Sequence, residues 1–124
     1  MNLDLHAYQK IETVDGIIYL GPSDTKRSIG FLLLLPKQQL PKHNRPIEEW
    51  LVQTEGSSII ILYNNEVVEK KVVLRRGDSL KIPANQFHQH TNPTNKASLT
   101  SWRFDGDITD IINKLRKQDV QSRK

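Results

Sequence analysis

His88 and His90 stand two apart within residues 77–92, GDSLKIPANQFHQHTN. In an extended strand that spacing projects both imidazoles, with Asn92, to one face and Phe87, Gln89 and Thr91 to the other. Imidazole titrates near neutral pH and offers a neutral nitrogen donor, so two on one face suit proton transfer or metal binding. A second stretch, His43-Asn44-Arg45-Pro46-Ile47-Glu48-Glu49, adds another imidazole, a guanidinium and two carboxylates. His43, Glu49 and His88 together supply two nitrogen donors and one carboxylate, a ligand set for iron(II) and related divalent ions with positions left open. The chain has no cysteine, so thiolate ligands and disulfides are excluded. Spacing alone does not join the two stretches into one site.

The elements that must position these groups are short. Residues 10–14 and 16–20 read as strands around an Asp15-Gly16 turn, a strong hairpin signal, and residues 21–24 as a loop. Residues 28–35, SIGFLLLL, form a continuous apolar run ended by Pro36, as in a central strand covered on both faces. Further strands are expected over residues 39–45, 49–55, 57–63, 66–74, 79–82, 87–92 and 97–104. Turn residues recur between them about every eight to twelve positions, the spacing of an all-β sandwich or barrel. Only the end of the chain has helical spacing. Asp107 offers an N-cap, Asp110 follows three later, and Ile108, Ile111, Ile112 and Leu115 repeat at i, i+3, i+4 and i+7. The helix is expected over residues 107–118, packed outside the sheet or on a second subunit.

The two stretches resemble the paired motifs of the cupins, G-x5-H-x-H-x3,4-E-x6-G and G-x5-P-x-G-x2-H-x3-N. His43, Glu49 and Gly56 match the first; Gly77, Pro83, His88 and Asn92 match the second, all in register. The resemblance covers residues 39–102. It implies one domain over residues 1–124: an antiparallel jelly-roll β-barrel, or double-stranded β-helix, over residues 10–104, one C-terminal α-helix, and a basic tail over residues 119–124. It also implies a homodimer, since cupins commonly pair and the helix has an apolar stripe to cover.

Three positions depart from the motifs. Lys37 replaces a turn glycine, and Asn85 replaces a glycine where left-handed backbone is expected, a conformation asparagine tolerates. Arg45 stands where a second histidine ligand would be, and a guanidinium cannot coordinate a cation. Three readings of Arg45 follow. In the leading one, His43, Glu49 and His88 hold a divalent ion (Fe, Mn, Ni, Zn or Cu), His90 approaches the vacated position or binds substrate, and Arg45 orients an anionic group of a small organic molecule. In the second, the site is metal-free; Arg45 pairs with Glu49 or with an anionic ligand, and His88 or His90 acts as acid or base, as in a sugar isomerase or epimerase. In the third, the barrel is an inert scaffold or a sensor; a non-catalytic ligand-binding module is the other form of the metal-free reading. The resemblance leaves open whether the chain is an enzyme, and a dioxygenase, isomerase or lyase would each fit the family. By strand parity Gln53 and Arg103 are further pocket candidates, Trp50 and Phe87 pack on the opposite face, and Trp102 belongs to the core or an interface.

Eighteen basic and fourteen acidic residues give a net charge of +4, part of it in residues 114–124. Without a basic element bearing stacking aromatics, nucleic acid is not the expected partner. The N-terminus has neither a basic nor an apolar leader region, and the longest apolar run is too short for a membrane span, so a soluble cytoplasmic protein is expected. His6 is assigned no role.

Overall fold

The computed structural model describes residues 5–120. Among the described residues there are nine strands, several of them alternating inward and outward residues: β1 (Gln9–Glu12), β2 (Ile17–Ser23), β3 (Ser28–Leu34), β4 (Glu49–Glu55), β5 (Ser57–Asn64), β6 (Val67–Arg75), β7 (Ser79–Ile82), β8 (His88–Thr91) and β9 (Ser98–Phe104). One helix, α1 (Thr109–Gln118), follows. The strands form two antiparallel sheets, ordered β1-β2-β3-β9-β4-β7 and β6-β5-β8. The inner faces share one core that includes Ile11, Leu34, Leu51, Ile60, Leu74 and Ile82, each at most 1% exposed. This is the all-β architecture with one terminal helix expected from the strand spacing. No described helix is long and apolar enough to cross a membrane.

Five details differ from the expectations. The loop over residues 21–24 is mostly strand, because β2 runs on through Gly21 and Pro22 beside β3 with a register shift between Leu20 and Ser23. β3 is central, between β2 and β9, but it is fully buried on one face and only partly on the other. The strand expected over residues 39–45 reduces to isolated bridges, Gln39 to Thr91 and His43 to His88. Pro41 and Pro46 lack the N–H a continuous ladder needs. The helix begins at Thr109 with Ile108 as its cap residue, although Asp107 Oδ1 still accepts the Thr109 N–H at 2.9 Å. Packing of α1 goes further than a cover on the sheet, since it buries Ile112 in the core and its residues line the barrel cavity. Of the expected basic tail, residues 121–124 lie outside the described residues.

Buried polar groups lock the frame that carries the site. Asn92, 1% exposed, donates through Nδ2 to the carbonyls of Leu34, Leu35 and Lys96 at 2.7–3.2 Å. Its Oδ1 accepts from the Thr94 amide and hydroxyl. It ties the end of β8 to the end of β3 and to the turn before β9. Gln53 is likewise structural. Its Oε1 accepts from Ser58 and Thr100, and its Nε2 donates to Ser98 Oγ and the Glu55 carbonyl. A fully satisfied network of this kind rigidifies the inner face of β4.

Candidate metal centre

β4 and β8 bring the cluster together from opposite sheets. On β4, Glu49, Leu51 and Gln53 point inward and Trp50 and Val52 outward. On β8, His88 and His90 point inward. His43 joins them through a reciprocal backbone pair: His43 N–H donates to the His88 carbonyl at 2.9 Å, and His88 N–H to the His43 carbonyl at 2.8 Å. Such a pair sets the two side chains next to each other on one face. The rings of His43 and His88 lie 4.4 Å apart, those of His88 and His90 5.1 Å, and those of His43 and His90 5.5 Å.

One ligand atom from each of His43, Glu49, His88 and His90 lies within 4.8 Å of all the others. His88, His90 and Glu49 are 1%, 4% and 6% exposed; His43 is partly buried. Backbone carbonyls fix two of the rings, since Nδ1 of His88 lies 2.9 Å from the Gln86 oxygen and Nδ1 of His43 lies 3.0 Å from the Pro41 oxygen. A carbonyl only accepts, so both Nδ1 atoms carry protons and both Nε2 atoms of the neutral rings present lone pairs. Glu49 Oε1 then faces His88 Nε2 at 3.2 Å and His90 Nε2 at 3.8 Å. Glu49 Oε1, His88 Nε2 and His90 Nδ1 are buried without any hydrogen-bond partner. Acceptor facing acceptor in a buried site is unfavourable unless a cation sits between them. The donor set fits a divalent metal: three imidazoles and one carboxylate, with carbonyls orienting two of the rings from behind.

Burial favours the unprotonated, metal-ready forms of His43 and His90. Burial lowers the His43 pKa to about 3, helped by the charges of His90 and Arg45, and burial likewise lowers that of His90. Burial pushes the Glu49 carboxyl up, and what holds it below the usual range is positive charge or a donated proton on the His88 and His90 side, which a cation in the gap would supply where the rings are neutral. Metal ligation needs these same protonation states.

Arg45 lies outside the four-residue cluster and lines the cavity beside it. Among the described residues its guanidinium makes one hydrogen bond, to the Asn44 carbonyl at 3.5 Å, and no ion pair with Glu49 or any other carboxylate. The other pocket candidates separate. Gln53 is held in its own network, and Arg103 points outward to Asp105 and the Trp50 ring, because inward positions on β9 are the even ones. Trp102 is therefore a cavity wall, packed on Gly30, where a Cβ would come within 2.4 Å of its ring. Phe87 precedes β8 and borders the cavity instead of packing on the opposite face. The helix residues lining the cavity were missed from the sequence. Their apolar stripe was visible, but nothing in it says which surface it covers.

Residues 30–102 match the Cupin_2 family, a cupin domain. No curated protein sequence matches. Among solved structures, the chain is similar to the oxalate decarboxylase of Bacillus subtilis, a protein with Mn(II) centers, at 17% identity and a TM-score of 0.71 over 80% of this chain and 28% of that one. It is similar to Lactobacillus farciminis oxalate decarboxylase, solved as a formate complex, at 18% identity and a TM-score of 0.71, over 82% and 32% of the two chains. An oxalate oxidase in complex with the substrate analogue glycolate matches at 17% identity and a TM-score of 0.60, over 65% and 42%. The chain thus spans less than half the length of each, and at these identities the likeness is one of fold.

Proposed function

This chain belongs to the cupin family, and on that premise we propose that it binds one divalent metal ion through His43, Glu49 and His88, with His90 as fourth donor, and takes a small anionic organic molecule into the adjoining cavity. The observation that carries this reading is the buried Glu49 Oε1, 3.2 Å from a His88 nitrogen whose ring proton is committed elsewhere. In the family motif, Arg45 stands at a ligand position; His90, two residues beyond His88, supplies a replacement imidazole from β8. When bound, the ion supplies Lewis-acid charge to polarise and orient a ligand oxygen. Arg45, lining the same cavity with only a long hydrogen bond to the Asn44 carbonyl, orients the ligand's anionic group. The low proton affinity of His43 and His90 leaves them as donors at neutral pH.

The same contact supports a second reading, in which a proton occupies the gap and His88 and Glu49 form a buried imidazolium–carboxylate pair in a metal-free, isomerase-like or simply ligand-binding barrel. Elemental analysis of protein purified without a histidine tag separates the two. The metal reading expects about one divalent ion per chain, lost in His43→Ala and His88→Ala; a chain that carries no metal and takes none up would leave the metal-free reading.

A further inference from the structure

The cavity beside the cluster encloses about 690 Å³. At about 30 Å³ per water in the liquid, that is the space of roughly twenty waters, far more than a two-carbon dicarboxylate such as oxalate fills. Its polar patch is His43, Arg45, Glu49 and His90, while Leu32, Leu51, Trp102 and Phe104 from the strands and Ile111 and Leu115 from α1 give it a largely apolar wall. Covering such a wall is favourable by about 25 cal/mol per Å², so an occupant with apolar surface gains where a wholly ionic one does not.

The charges lining the cavity limit the occupant to one anionic group. Arg45 is partly buried and has no ion-pair partner among the described residues. Lys42 is already engaged, donating to the Asn65 carbonyl at 2.7 Å and lying 4.2 Å from the Tyr63 ring centroid. Lys114 is on the exposed side of α1, and the carboxylates of Asp15 and Glu49 line the same cavity. A second carboxylate on the ligand would meet Asp15, and in the metal-free chain Glu49 as well, with only a solvated lysine to oppose them.

The geometry points to a monocarboxylate with an extended apolar body, its carboxylate on Arg45 beside the histidine–glutamate cluster and its body along Trp102 and the inner side of α1. The chemistry is that of a medium-chain fatty acid or an arylalkanoic acid. The placement beside a metal rests on the proposed function; the pairing of Arg45 with the apolar wall does not.

The test is calorimetric titration of the chain with octanoate, octan-1-ol and oxalate, with and without added manganese, metal content being measured on the same samples. Octanoate is expected to bind at least tenfold tighter than either comparator. Arg45→Gln is expected to reduce octanoate to the level of octan-1-ol. Ile111→Asn, or Leu115→Ser if that variant fails to fold, is expected to weaken octanoate about tenfold. Oxalate binding as tightly as octanoate, octanoate binding indifferent to Arg45→Gln, or no octanoate binding at all overturns the inference. A chain that binds metal but shows no octanoate preference overturns the ligand class and leaves the metal reading standing. One that binds octanoate through Arg45 but takes up no metal does the reverse.

Discussion

His88 and Glu49 carry the account at the scale of single residues. Because Nδ1 of His88 donates to the Gln86 carbonyl, Nε2 and Glu49 Oε1 meet as two acceptors at 3.2 Å, and a cation between them resolves the conflict. Glu49→Gln keeps the shape and removes the charge; metal affinity measured by competition with a chelator is expected to fall at least about a hundredfold, on the order of 3 kcal/mol. An unchanged affinity would remove Glu49 from the ligand set. The same burial sets a pH dependence in the chelator-treated protein. His43 is held at about 3 when folded, against 6.5 ordinarily, so below about pH 6.5 the unfolded chain binds a proton that the folded chain refuses. Stability contributed at neutral pH is therefore lost as pH falls from about 6.5 toward 3. Glu49, also depressed, acts in the same direction at the acidic end. Thermal melts between pH 7 and pH 4 are expected to show a falling midpoint, with a shallower fall in His43→Gln; parallel slopes in the two proteins would contradict the assignment.

At the scale of elements, the left-handed backbone expected at Asn85 is present, and three further motif positions share it. Lys37, Gly56, Gly77 and Asn85 all have positive φ, at 69°, 67°, 90° and 68°, so the lysine and the asparagine occupy left-handed turns where the motif has glycine. The conformation costs roughly 1–2 kcal/mol for the lysine and less for the asparagine. The two glycines differ in their surroundings. A Cβ on Gly77 would touch nothing within 4 Å, whereas one on Gly56 would come 2.3 Å from the Ala97 carbonyl oxygen. Urea denaturation is expected to show Gly77→Ala losing about 1 kcal/mol, the left-handed backbone penalty less the entropy taken from the unfolded chain, and Gly56→Ala losing clearly more. Equal losses would mean the close approach to Ala97 is relieved cheaply. The strands were legible because alternation and turn residues coincide, and β4 and β7 have the expected limits. The segment around His43 was not, because its prolines cut the ladder while the hydrogen bonds to β8 keep it alongside. Pairing between distant segments sets that geometry, and local composition does not report it.

For the whole molecule, the two motif stretches converge because the β4 and β8 faces close on each other across the barrel, so Glu49 and His88 meet although 39 positions separate them in the chain. The register of the cupin motifs made that convergence readable in advance for His43, Glu49 and His88. The entry of His90 into the same cluster followed from strand parity. The role of α1 was not readable: an apolar stripe fits a barrel wall, a cavity or a second subunit equally well, and only packing distinguishes them. An ion bound to folded but not unfolded chain must also stabilise the whole domain, by about 2.7 kcal/mol at a hundredfold excess over its dissociation constant. Addition of a divalent ion is therefore expected to raise the melting temperature of the wild type and leave that of His88→Ala unmoved; equal shifts would indicate binding elsewhere. The most direct measurement is an anomalous difference map from a crystal soaked in a manganese salt. The account predicts one strong peak bonded to His43, Glu49, His88 and His90 at about 2.0 to 2.2 Å; no peak there, with the Arg45 guanidinium folded across the gap onto Glu49, would contradict it.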